Sequence, residues 1–591
     1  MTSPSGLYSI LAPKAHWNRL NLPLAGSVPA FLSMLLLLPF VAAAALAAGA
    51  PARPPVTGPV VQIATGQLRG TVQGTTAVFL GIPFAAPPVG ALRWREPQSP
   101  IAWSGVRDAT KPGSSCVQNP AGIGTFIQPL AAAYGKTYNI VPVSISEDCL
   151  FLNVWAPNWP VKAPLPVMVW VHGGSNRIGS GAEDSYDGAA LAAHGVLVVT
   201  INYRLGPLGF FSHPELAAES PHHSTGNYGL LDQIAALRWV RQNIVQFGGD
   251  PSNVTIFGES AGSVDVTTLM ASPLSANLFR RVIAESGPSF GLARERSASE
   301  MTPLALAVGA AAGGKPGAQL EALRKLPATQ IAEIENRLIA TQFPGYNPNA
   351  PVTDGWVLPQ SPAKAYASGA IQKVDLLVGL NAREWAAFRV VAEAARKKSG
   401  QPAPKPEFGK QFTLFQDAAR PLYGSWTDIT VSAYMAKIIL HGTPAVDQST
   451  DDIIMACPMG AEAALVTSAG QHAFVYRFER SVPGPGESDL GAFHALELPY
   501  VFDTFQVRTF NWLPFTATDH KLSNVIQTYW TNFAKTGDPN GPGLPYWDAW
   551  TTAQEPFIVF GENGDASPQQ NFSPMFCHLS PDRLKDQLGS Q

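Results

Sequence analysis

The stretch NVTIFGESAGSVDVTTLMAS, residues 253–272, decides how the chain is read. Its VTIF run at 254–257 is short, apolar and set behind the turn-forming GGDPSN, which is the pattern of a buried strand. From Ser260 to Ser272 there is no proline, and a helix fits. Between strand and helix, Gly258 and Gly262 stand two positions either side of Ser260. A strand that delivers a serine into a sharp turn, with small residues where backbones crowd and a helix leaving behind it, is a nucleophile elbow. The helix N-terminus then points at negative charge developing beside the serine. The glycine pattern alone is weak, since 53 of the 591 residues are glycine and a second match, GPSFG at 287–291, surrounds Ser289. Pro288 directly precedes Ser289 and disfavours helical backbone just before it. The run LARERSASE beyond it has only a weak apolar face. Ser260 is therefore the expected nucleophile and Ser289 its alternative.

Outward from this elbow, other apolar runs read as buried strands: PVMVWV (166–171), VLVVTIN (196–202), RVIAES (281–286), DLLVGL (375–380) and AFVYRF (473–478). Leu230, Ile234, Leu237, Val240, Ile244 and Phe247 recur at three and four residues, giving one apolar helix face. GGDPSN then stops that helix. Strands alternating with helices predict an α/β fold, a mostly parallel twisted sheet covered on both faces. Functional residues are then expected just beyond the carboxyl ends of the strands.

A serine alcohol needs a base within hydrogen-bond reach and a third group to orient that base. In this fold the order is serine, acid, histidine, which leaves His441, His472, His494, His520 and His578. His472 opens a strand and reads as structural; His494 follows Gly491 in a loop. Glu384 lies in the loop after the 375–380 strand, the expected place for the acid, with Asp354 in the turn TDGW as runner-up. VHGGSNRIGSG, residues 171–181, leaves a strand and is glycine-rich, so its amides can face a developing oxyanion.

Bulk properties narrow the rest. Net charge is −3 and 46% of residues are hydrophobic, so no basic excess points to nucleic acid. No tandem repeat occurs at solenoid or propeller periods. Residues 1–50 read as an export signal: Lys14 and Arg19, an uncharged run at 28–50, and an A-x-A exit at 45–47. The run is also long enough for a membrane anchor, interrupted by Pro29 and Pro39. The chain is thus expected to be secreted or periplasmic, with anchoring by residues 28–50 as the alternative. Residues 51–58 read as a flexible lead-in, and 59–585 are expected to form a single domain. Cys116, Cys149, Cys457 and Cys577 suggest two disulfides in an exported chain. No metal-ligand spacing occurs, and His222-His223 reads as a solvated pair. Asn253-Val254-Thr255 and Asn571-Phe572-Ser573 fit the glycosylation pattern, the first running into a core strand.

The sequence resembles the type-B carboxylesterases, the cholinesterase-like branch of the α/β-hydrolase fold, over about residues 57–580. The resemblance rests on FLGIPFAAPPVGALRWREPQ (79–98), SEDCLFLNVWAP (146–157), VMVWVHGG (167–174), VVTINYRLGPLGFF (198–211), LVGLNARE (377–384), GAFHALELPYVF (491–502) and the elbow itself. It implies Ser260 as nucleophile, Glu384 as acid, His494 as base, and the backbone amides of Gly174, Ser175 and Ala261 as oxyanion donors. It also implies the disulfides Cys116–Cys149 and Cys457–Cys577, and no metal or organic cofactor. The implied reaction is ester hydrolysis through an acyl-enzyme, with water as second substrate. The same triad also serves amides, carbamates, lactones and transesterification, and cholinesterase-like domains also occur as non-catalytic binding modules. Some positions depart from the family. Arg383 and Trp385 flank the acid where Asp and Gly are frequent. Ser175 and Asn176 replace the end of the usual oxyanion loop, with Arg177 next. No tryptophan lies between Cys116 and Cys149, so a cationic choline site is not expected. Arg177 motivates an expectation of polar or anionic esters, against the alternative of an arginine turned to solvent. Asp265, on the elbow helix, is left either tuning the site or making a polar contact.

Overall fold

Consecutive side chains of residues 167–171 alternate between two environments. Val167, Val169 and Val171 enter one apolar core, while Met168 and Trp170 enter another on the opposite side, and all five are buried. A strand hydrophobic on both faces has to be sandwiched, and the runs at 197, 254, 282, 376 and 473 show the same alternation. The computed structural model describes residues 58–574 apart from 291–295, 344–346 and most of 401–426, together with 577 and 585. The expected signal segment and His578 lie outside the described residues.

The main sheet has eleven strands: β1 (Thr71–Gln73), β2 (Thr76–Pro83), β3 (Phe151–Ala156), β4 (Leu165–Val171), β5 (Leu197–Ile201), β6 (Gly249–Glu259), β7 (Arg281–Glu285), β8 (Asp375–Asn381), β9 (Ala473–Phe478), β10 (Phe557–Phe560) and β11 (Ala566–Gln569). Their spatial order is β11-β10-β9-β8-β7-β6-β4-β5-β3-β2-β1. The seven strands from β10 to β5 are parallel, and β11 at one edge and β3, β2 and β1 at the other are antiparallel. This is the sheet of an α/β-hydrolase.

Five helices matter for the site: α1 (Tyr228–Asn243), α2 (Ala261–Met270), α3 (Ala328–Thr341), α4 (Glu384–Lys398) and α5 (Ala517–Thr536). Leu230, Ile234 and Leu237 of α1 and Val266 and Leu269 of α2 fill the core on one face. Leu522, Ile526, Trp530 and Phe533 of α5 fill the other. The expected helix through Phe247 ends as α-helix at Asn243, tightens into a 3₁₀ turn over Ile244–Phe247, and stops at Gly248 with φ 87°. The residues after Gly248 do not form a separate turn. β6 already begins at Gly249, and a register shift before Val254 absorbs Pro251, since a bulge tolerates the missing N–H. Asn253 has both side-chain ends engaged, donating to the Lys535 carbonyl at 3.3 Å and accepting from Arg281 at 2.5 Å.

Candidate active site

Ser260 stands where β6 ends and α2 begins, with φ 56° and ψ −120°. That backbone is strained for a residue with a Cβ, a cost of order 1–3 kcal/mol that the surroundings must enforce. Ser260 N–H donates to the Glu285 carbonyl at 2.8 Å, and the Ser260 carbonyl accepts from Val264 N–H at 3.0 Å. The flanking glycines are there for room: a Cβ would lie 2.6 Å from the Val171 oxygen at Gly258 and 2.0 Å from it at Gly262. Gly287, from the rival motif, serves this same turn, since its Cβ would stand 2.1 Å from the Ser260 oxygen. Ser289 itself is buried, and its N–H and Oγ–H both donate to Glu462 Oε1, at 2.7 and 2.6 Å. It has a carboxylate partner and no histidine.

The chain brings Glu384 and His494 together across 110 positions. Glu384 opens α4 and is fully buried; its Oε1 accepts from Asn381 N–H at 2.7 Å and its Oε2 pairs with His494 Nδ1 at 2.6 Å. Arg383 fastens the two loops: its N–H donates to the Ala492 carbonyl and its Nη1 to Ser488, so it neither pairs with a carboxylate nor projects free. The runner-up acid is elsewhere. Asp354 accepts from Ser224 Oγ and from the Trp356 and Leu358 amides, as a turn residue. Of the other histidines, His472 is largely exposed beside Asp375, His520 lies 3.5 Å from Asp503, and His441 is exposed at the end of a helix. His222 stacks on Trp356 at 3.8 Å.

The far nitrogen of His494 carries a feature that sequence reasoning missed. Nε2 lies 3.1 Å from Glu259 Oε1, an ion-pair distance without hydrogen-bond direction, and no hydrogen bond joins it to Ser260 Oγ. Glu259 lies with two more buried glutamates, Glu285, which accepts from Trp530 Nε1 at 2.8 Å, and Glu497, which accepts from Asn381 Nδ2. Burial pushes all three carboxyls up. For His494 burial acts downward, but the charges of Glu259 and then Glu384 outweigh it, and the imidazole is raised to about 9. For Glu259 burial acts upward, and the charge of His494 pulls against it. The one hint in the sequence is a glutamate inside the apolar context VTIFGES.

The glycine-rich loop after β4 turns through three successive left-handed residues, Gly174 (φ 99°), Ser175 (φ 57°) and Asn176 (φ 54°). Consecutive amides in such a turn face one side and form an anion-binding nest. Among the described residues, the N–H groups of Gly174, Ser175 and Ala261 donate to no protein acceptor. Asn176 is buried and bonded to Asp265, while Arg177 reaches Asn336 of α3. Both disulfides are formed, Cys116–Cys149 and Cys457–Cys577, with Cα separations of 4.9 and 5.2 Å. Among the described residues, no group of His, Cys, Asp and Glu side chains could hold a metal ion. No helix among them is long and apolar enough to cross a membrane.

Residues 57–579 match the family described as the carboxylesterase family. A fumonisin B1 esterase of Sphingopyxis macrogoltabida is 37% identical over 518 residues, covering 86% of this chain and 88% of that protein. The para-nitrobenzyl esterase of Bacillus subtilis (strain 168) is 36% identical over 492 residues, 82% of this chain and 91% of that one. Among solved structures, a PNB esterase superposes with a TM-score of 0.71 at 31% identity, covering 87% of this chain and 97% of the other. A Geobacillus stearothermophilus carboxylesterase gives 0.70 at 32% identity, covering 87% and 97%.

Proposed function

The chain belongs to the carboxylesterase family and is a carboxylic ester hydrolase, and on that premise we propose that Ser260, His494 and Glu384 are its catalytic triad. The observation that carries the assignment is the 2.6 Å contact between two buried side chains, His494 and Glu384, beside the serine held at φ 56°. In the reaction His494 Nε2 takes the Ser260 proton as Oγ bonds to the ester carbonyl carbon. Glu384 holds the imidazole and balances its charge. The amides of Gly174, Ser175 and Ala261 receive the tetrahedral oxyanion. The carbon–oxygen bond to the alcohol then breaks, and His494 returns the proton to that oxygen. Water, deprotonated by the same nitrogen, attacks the acyl-serine, and the acid leaves as Ser260 is reprotonated. The imidazole first turns from Glu259 to the serine, in keeping with hydrogen bonds that tighten only with substrate bound. Ser260→Ala should abolish hydrolysis of p-nitrophenyl esters while the far-ultraviolet circular dichroism is kept. Wild-type turnover in that variant would remove the assignment. We read residues 59–585 as one catalytic domain. The two disulfides support export to an oxidising compartment.

The substrate reading is anionic esters, on the observation that Arg177 is a half-buried cation two residues after a proposed oxyanion donor. Its side chain donates to the neutral carboxamide of Asn336, and it makes no ion pair within 4.0 Å among the described residues. Burial pulls its guanidinium down from its ordinary proton affinity while Glu335 opposes that. A substrate carboxylate would give it a direct ion pair. A half-ester of a diacid should show higher kcat/KM than its neutral diester, with the preference lost in Arg177→Gln; fumonisin B1, named for one relative, belongs in the same panel. A strong preference for the neutral diester would end this reading.

A further inference from the structure

The proposed oxyanion donors come from two separate elements. Gly174 and Ser175 lie on the loop after β4, whereas Ala261 is the first residue of α2. Such donors act only when all sit about 2.7–3.1 Å from one point, so something must fix the loop against the helix. The loop's main-chain bonds run within the loop, from the Arg177 and Ile178 amides to the Gly174 carbonyl, and from Gly206 to the Asn176 carbonyl, and none of these reaches α2.

Asn176 and Asp265 make the connection. Asn176 Nδ2 donates to Asp265 Oδ1 at 3.1 Å, and the two residues are 2% and 0% exposed. Asp265 is four residues after Ala261, so it lies on the same face of α2 one turn on. Asn176 directly follows Ser175. Each end of the bond is therefore next to one half of the donor set. Both ends are braced. Gln233 Nε2, from α1, donates to Asp265 Oδ2 at 2.6 Å. Tyr203 Oη–H is shared between the side-chain Oδ1 of Asn176, at 2.9 Å, and the main-chain oxygen of His172, at 2.7 Å. The Asn176 main-chain oxygen accepts from Gly206 N–H at 2.7 Å. All four side chains are buried, where an unmade bond is costly and a satisfied network is rigid.

We propose that Asp265 and Asn176 form a strut that sets the spacing between the two halves of the oxyanion hole, with Gln233 and Tyr203 as its braces. Neither residue touches substrate; both act as positioning residues. The proposal rests on Ser260 being the nucleophile.

The test uses the full protein with p-nitrophenyl acetate and an aryl trifluoromethyl ketone, which binds serine as an oxyanion. Asn176→Gly keeps the left-handed backbone accessible and removes the strut, and Asp265→Ala removes its other end. Each should lower kcat about 10- to 100-fold, less than outright loss of a donor, with KM within about threefold. Ketone affinity should fall by the same factor as kcat. The double variant should be no slower than the slower single, because one interaction can be lost only once. Asp265→Asn should stay close to wild type, since Gln233 can turn its unpartnered Oε1 toward the new amide. Unchanged kcat in folded Asn176→Gly, or multiplicative losses in the double variant, would overturn the strut. If Asp265→Ala does not fold, Asn176→Gly and Asp265→Asn decide it alone. Turnover surviving Ser260→Ala would instead overturn the triad, so the two failures are distinct.

Discussion

Replacing Glu259 by Gln should change the pH profile in two opposite ways. The His494 imidazole is raised from its ordinary 6.5 to about 9. Burial works against that rise, and Glu259, 3.1 Å from Nε2, is the largest charge producing it, ahead of Glu384. An opposite charge at this range typically moves a group by about one to three pH units. The Glu259–His494–Glu384 unit titrates together, so the midpoint of the acid limb of kcat/KM should fall by about one to two pH units in Glu259→Gln. The reaction needs neutral His494, so this alone raises activity near pH 7. The transition state, however, contains an imidazolium, which loses the same carboxylate. Above the limb, where the free enzyme holds neutral histidine, the plateau should drop about 10- to 100-fold, the counterpart of one to two pH units. Below the limb both ground and transition states contain the cation, and the two variants should converge. The assay is kcat/KM for a p-nitrophenyl ester from pH 5 to 10.5, with kcat profiles alongside. An acid-limb midpoint that stays in place or moves upward would refute the assigned charge of Glu259.

Two predictions concern stability. The Arg204–Asp232 pair is buried and doubly bonded, at 2.7 and 2.8 Å, so Asp232→Asn leaves the guanidinium without its counter-charge and should cost about 3–5 kcal/mol in urea unfolding; a loss below about 1 kcal/mol would contradict this. Glu462, bonded to Ser289, is raised by burial to about 7. The folded protein therefore binds its proton more tightly than the unfolded chain, and the stability it contributes is present below about 4.5 and lost as pH rises through 7. Glu462→Gln should flatten the fall in Tm between pH 5 and 8, and a slope equal to wild type would count against the raised value.

The central sheet was legible because β4, β5 and β6–β9 are buried on both faces, and that requirement writes itself as continuous apolar runs. The antiparallel edges were not. Thr71–Gln73 and Ala566–Gln569 are short and partly exposed, and nothing in their composition separates them from loops. Ser260 was readable from its strand, its glycines and the proline-free run after it. Glu384 and His494 were narrowed by order and loop position, and selected by the family resemblance. Glu285 and Glu497 were missed because a lone sequence gives a glutamate little sign of burial, and for Glu259 the apolar context VTIFGES was the one hint; the packing of Trp530, Asn381 and His494 around them is what shows it. Asp265 was noticed but unexplained, since its partner Asn176 lies 89 positions away. Arg383 was visible as a departure beside the acid, but its acceptor, the Ser488 carbonyl, is a backbone atom 105 positions away.

Covalent trapping on Ser260 is the most direct measurement. The protein is treated with a fluorophosphonate, digested, and the modified peptide located by mass spectrometry. A single adduct on the peptide carrying Ser260, absent in Ser260→Ala and formed at least about tenfold more slowly when His494 is replaced by Ala, is the expected result. An adduct on Ser289, or labelling that survives Ser260→Ala, would contradict the assignment of the nucleophile and the chemistry built on it.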